Sequence, residues 1–282
     1  MRHPPSSQTS LLSRLMSIIG RLFGRTPNSG PPAADASLRR VVILSRQVVH
    51  GLASPPPDFL AQAAEKWASD ERARFAEDLK SLSVPDVRFL KETGFWKEMT
   101  GAERAFIQTP APQMQQIIDA TWLMESAVCL LWALEYVADL PPYDTQADPE
   151  LLKLLAAEPL NDQLAKACLR DFSVIQQARE VAELWHWRSR TRQLQESGQA
   201  VQLPAELTFD EIIRMTAEGA AQDGVFGRAI GDDFPAFGKA YRDLSPDEWS
   251  LATSIAMERH RAFNWLCGYA PGNRWDKTPT DT

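Results

Sequence analysis

The chain is poor in the residues that most often carry chemistry, with three cysteines and four histidines in 282 residues. Cys129, Cys168 and Cys267 are odd in number, far apart and without a CxxC pair. That excludes a disulfide framework and a zinc knuckle, and points to a reducing compartment. Each lies among apolar neighbours, so buried thiols are expected. HxxxH and HExxH spacings are missing, as are GxSxG and SxxK, so no metal, no cofactor and no nucleophile motif is expected. Positive charge is also short. A net charge of −7 and a pI near 5.2 argue against a nucleic-acid partner, whose binding depends on phosphate neutralisation. The longest apolar run, residues 127–134, is far too short to cross a bilayer.

Charge is unevenly placed. Residues 1–34 hold four of the thirty basic residues and no acid, so the remaining 26 face all 37 acids, a net −11. Between Leu11 and Phe23, apolar residues at 11, 15, 18 and 22 and at 12, 16, 19 and 23 form one helical stripe. Arg14, Arg21 and Arg25 fall on another face, as in helices that lie on anionic membranes. The same stretch reads equally as a loosely ordered leader, and Met16 is an alternative start. The segment TPNSGPP, residues 26–32, reads as a flexible linker, so residues 1–37 are set apart from a body at 38–282.

The body reads as helix after helix. Apolar spacing marks Arg39–Leu52 and one long helix over Asp58–Leu82, and Thr100 with Glu103 forms a capping box for a short one. Gln113–Leu140 is apolar on nearly all sides, the signature of a central buried helix ended by Pro141-Pro142. Helices also fit Asp148–Ala157, Ser173–Gln195 and residues 209–222. Five glycines between Gly219 and Gly238 then make a loop with room for a short strand pair, whose acids Asp223, Asp232 and Asp233 read as solvated. Ser245-Pro246-Asp247-Glu248 opens the last helix, and Gly268 stops it. The expected fold is therefore all-α: a single multi-helix domain with one central buried helix and a Gly-rich loop before the C-terminal helix.

The strings WLMESAVCLLWAL (122–134), HWR (186–188) and MERHRAFNWLCGY (257–269) resemble a bacterial family of domains of unknown function, numbered 4272. Trp275-Asp276 and Asp281-Thr282 are similar to its ending. The resemblance spans about residues 38–282 and implies no activity. Leu123 stands where that pattern leads one to expect arginine.

Candidate chemistry rests on one polar set: Glu125, His186, Arg188, Glu258, His260 and Asn264. Glu125 is the lone charge in an apolar stretch, and His260 and Asn264 share a helix face. Converging in a cleft, such residues offer an acid, a base and an anion holder. The structural alternative is that the glutamates pair with Arg188, Arg259 or Arg261 and tie helices together. No residue is assigned a catalytic role. The sequence favours a non-catalytic helical module that binds a protein or small-molecule ligand, in the cytoplasm or peripheral to the inner face of the membrane through its basic tail. The alternative is a hydrolase or group transferase using the Glu/His/Arg set. Trp122, Trp132, Trp185 and Trp265 are expected in the core, and Trp187 or Trp275 at a groove.

Overall fold

The computed structural model describes residues 27, 29–198 and 207–280. Arg14, Arg21 and Arg25 lie outside them, so the amphipathic reading of the tail does too. The body is predominantly helical, with a single two-stranded ribbon among the described residues.

Four long helices make the frame: α1 (Ala34–Ala53), α6 (Met114–Ala133), α8 (Phe172–Ser197) and α10 (Pro246–Leu266). They pack in the order α1, α6, α10, α8. α6 is central, with every residue from Met124 to Leu131 buried, because that segment is apolar on all sides but for Glu125 and Ser126. Between α1 and α6 run α2 (Pro57–Lys66), α3 (Ser69–Leu82), α4 (Val84–Glu92) and α5 (Gly101–Gln108). α7 (Leu160–Lys166) precedes α8, and α9 (Phe209–Gln222) follows it.

Two helices depart most from the sequence expectation. The long helix over 58–82 is two, because Trp67 turns extended and packs against Phe59 and Phe75 while Glu71 caps the Ala68 amide. The central helix stops at Ala133 and not Leu140. There Glu135 takes a positive φ, and Arg170 captures the Trp132 and Ala133 carbonyls through its side chain and its backbone. The helix expected at Asp148–Ala157 is present as a 3-10 helix over Pro149–Ala156.

The glycine-rich loop does hold a strand pair, β1 (Pro235–Ala236) and β2 (Lys239–Ala240), antiparallel and joined by Phe237-Gly238. Both turn residues have positive φ, as the tightest hairpin turn demands, and the Phe237 amide is held by Asp144 at 2.7 Å. The linker is seated rather than loose at Ser29, whose amide donates to the Gly268 carbonyl and whose hydroxyl accepts from Gly272. Gly268 has φ +78°, and a Cβ there would lie 2.2 Å from the Ser29 carbonyl oxygen, so only glycine fits. Among the described residues no helix is long and apolar enough to cross a membrane.

Candidate functional site

The six candidate residues do not form one cluster. Glu125 and Arg188 are each closed on a partner in dry interior. One Glu125 oxygen accepts from the Ala147 amide at 2.7 Å, and the other bonds Arg259 at 2.9 Å. The fully buried Arg259 also donates to the Pro141 and Thr145 carbonyls and lies over the Tyr143 ring. This pair ties α6, α10 and the connection after α6, with α10 supplying the cation that Leu123 does not. Arg188 makes two 2.6 Å bonds to Asp233 and lies over Tyr241. Asp233 is wholly buried, contrary to the solvated loop expected of it, because the hairpin folds it beneath α8 to meet that guanidinium.

His186, His260 and Asn264 do come together, in the seam between α8 and α10. Their polarity follows from the fixed groups at one end. Arg179 Nε can only donate, and it bonds Asn264 Oδ1 at 2.7 Å. Asn264 Nδ2 therefore donates, to the Pro279 carbonyl and to His260 Nε2, each at 2.9 Å. His260 then carries its proton on Nδ1 and donates it to His186 Nδ1, 3.0 Å away. His186 accepts there and holds its own proton on Nε2. Burial drives the His260 pKa well below its ordinary 6.5, and the nearby His186 and Arg179 push it further down. His260 is neutral and only 1% exposed, with both nitrogens engaged.

A second chain crosses the same seam. Tyr241 donates to Ser189 at 2.8 Å, Ser189 and Thr253 hydroxyls meet, and Thr253 donates to the Trp249 carbonyl at 2.7 Å. Since Thr253 spends its proton on Trp249, the chain runs Tyr241 to Ser189 to Thr253.

Two grooves flank α10. On the α8 side a cavity of about 320 Å³ is walled by His186, Arg190, Gln193, Trp249, Ser250 and Ser254. On the α6 side a groove of about 450 Å³ is walled by Glu103, Asp119, Trp122, Glu258, Arg261 and Trp275. Glu258 accepts from the buried Ser126 hydroxyl at 2.7 Å, with Arg261 at 3.7 Å. Burial pushes the Glu258 carboxyl above its ordinary value, and Arg261 and Ser126 pull it partly back. Glu103 is already spent on Arg40 and on capping α5.

Of the candidates, then, His186 reaches the α8 cavity and Glu258 the α6 groove, while Glu125, Arg188, His260 and Asn264 are interior. Sequence reasoning missed Trp249, Ser250 and Ser254. The spacing of 249, 253 and 260 along α10 carried the signal. Trp122 lies at a groove rather than in the core, and of Trp187 and Trp275 it is Trp275 that walls a groove, Trp187 being buried against Phe234. Cys168 is exposed, since Arg170 rather than the thiol anchors its segment, while Cys129 and Cys267 are buried. Among the described residues no three His, Cys, Asp or Glu side chains gather as metal ligands.

No curated protein and no solved structure matches the chain. A family model does match, over residues 59–210, which takes in the first two recognised strings and ends before α10. The chain belongs to the family described as Domain of unknown function (DUF4272).

Proposed function

We propose that the chain is a non-catalytic helical module that binds a small-molecule ligand in the cleft between α8 and α10. Its basic N-terminal segment would hold it at an anionic membrane surface on the cytoplasmic side. The observation that carries the ligand site is the pairing of an open 320 Å³ cavity with two hydrogen-bonded chains fixed behind it. Pockets of this size hold small ligands, and a pre-organised wall lowers the cost of binding them. Against catalysis, His260 is neutral and enclosed, and Glu125 and Arg188 are paired in the interior with Arg259 and Asp233.

A panel of carboxylates, phosphates, amines and sugars tested by thermal shift addresses the site. At least one class should raise the Tm of the full chain and not that of Ser254→Trp, which fills the cleft. Equal responses from both proteins would remove the cleft reading. For the tail, sedimentation with anionic vesicles should carry down the full chain but not one beginning at Ser37, and added salt should reverse it. Equal sedimentation would end the membrane reading. One observation favours the hydrolase or transferase alternative: Glu258 places a carboxyl of raised pKa in an open groove. It requires turnover that Glu258→Gln abolishes.

A further inference from the structure

The α8–α10 cleft has an unusual inventory. The Trp249 Nε1–H is buried without a hydrogen-bond partner. Its ring is clamped by Arg192, whose guanidinium lies 4.8 Å from the ring centroid and is itself pinned to the Tyr241 and Leu244 carbonyls. A buried donor without an acceptor is costly to leave and calls for an explanation. Along the cleft the unspent groups are also donors. Gln193 gives its oxygen to Arg190 and so has its amide N–H groups left, and Arg190 is an exposed cation at the mouth. The Ser250 and Ser254 hydroxyls have no partner among the described residues, whereas Ser189 and Thr253 have already spent their protons in the seam. No carboxylate among the described residues lines the cleft. Of the acids nearby, Glu196 is paired with Arg192 and Glu248 with Lys239.

We propose that this cleft takes a small organic carboxylate, its oxygens received by the serine hydroxyls and Arg190 beside the Trp249 ring. This rests on the reading of the cleft as the ligand site and adds the chemical class. A wall of donors with a single cation suits a monoanion. A phosphate dianion would bring a second negative charge for which the cleft has no cation. The cavity also has room for a ring behind the carboxylate, and Trp249 offers it an aromatic face.

The test uses the full chain and four probes: benzoate, its neutral isostere benzamide, the cation benzylamine, and inorganic phosphate. The indole N–H resonance of Trp249, identified by its disappearance in Trp249→Phe, reports the site directly among nine tryptophans. Benzoate should move that resonance downfield, and benzamide and benzylamine should need at least about ten times the concentration. Arg190→Gln, a surface change that spares the fold, should weaken benzoate by about tenfold. If benzamide or benzylamine moves the resonance as readily as benzoate, the cleft binds without regard to charge. The carboxylate assignment then fails while the binding reading stands. If phosphate acts at lower concentration than benzoate, the assignment also fails. A Trp249 resonance that none of the four moves ends the carboxylate assignment, and the remaining classes of the thermal-shift panel then decide the cleft reading.

Discussion

The α6–α10 seam and the α8–α10 seam solve the same problem, polar groups in a dry interface, in opposite ways. Between α6 and α10 the solution is charge: Glu125 and Arg259 cancel, and three backbone groups take up their remaining valences. Between α8 and α10 it is neutral and directional. Arg179 fixes Asn264, Asn264 fixes His260, and His260 fixes His186 beside an open cleft. A closed pair has nothing left to offer a ligand, whereas the directed chain sets the proton position of a ring that walls the cleft. The contrast explains why six residues of similar chemical promise divide into fasteners and wall.

The largest expected effect comes from breaking the charged seam. Arg259→Met leaves the Glu125 carboxylate buried and unpaired, and urea unfolding at neutral pH should show a loss of about 3–5 kcal/mol. Replacing Glu125 by leucine in that variant should restore most of it, because the stranded charge is what costs. The neutral seam should lose less. His260→Leu deprives Asn264 and His186 of one partner each, a cost of about 1–3 kcal/mol in the same assay.

Acidification should separate the seams by sign. The folded-state pKa of His260 lies below its ordinary 6.5, so its contribution is present above pH 6.5 and is lost as pH falls through the folded value. Glu258, across α10, has a folded-state pKa above its ordinary 4.5. Its contribution is fully present below pH 4.5 and is lost as pH rises through that folded value. Each slope is bounded by about 1.4 kcal/mol per pH unit. Unfolding measured in pH steps should therefore show His260→Gln flattening the fall below pH 6.5. Glu258→Gln should raise stability near pH 7 and remove the gain on acidification. Slopes unchanged by either substitution would dissolve the contrast. The smallest effect belongs to Trp249→Phe, which deletes an unpartnered N–H and should change stability by no more than about 1 kcal/mol, toward greater stability.

Periodicity and caps carried most of the fold. The Ser245–Glu248 box, the Thr100–Glu103 box and the all-round apolar core of α6 stand as their residues predict. The breaks that periodicity missed, at Trp67 and after Ala133, depend on partners distant in sequence or on aromatic packing. Arg170 reaches the end of α6 from 38 residues away, and no local pattern announces it. The site was half legible. Residue type flagged Glu125, Arg188 and His260 as consequential and named Arg259 among the possible partners of the glutamates, but Asp233, read as solvated, is brought to Arg188 only by the tertiary fold. The cleft was invisible for the converse reason: Trp249, Ser250 and Ser254 matter through what they leave unbonded, which sequence does not encode.

The neutral, directed chain behind the cleft is tested most directly by nitrogen-15 spectra of the histidine rings in the full chain, from neutral pH to about pH 5. His260 should be neutral at pH 7 with its proton on Nδ1, His186 should accept at Nδ1 and carry its proton on Nε2, and His260 should stay neutral below its ordinary 6.5. A doubly protonated His260, or the same tautomer in both rings, would contradict it.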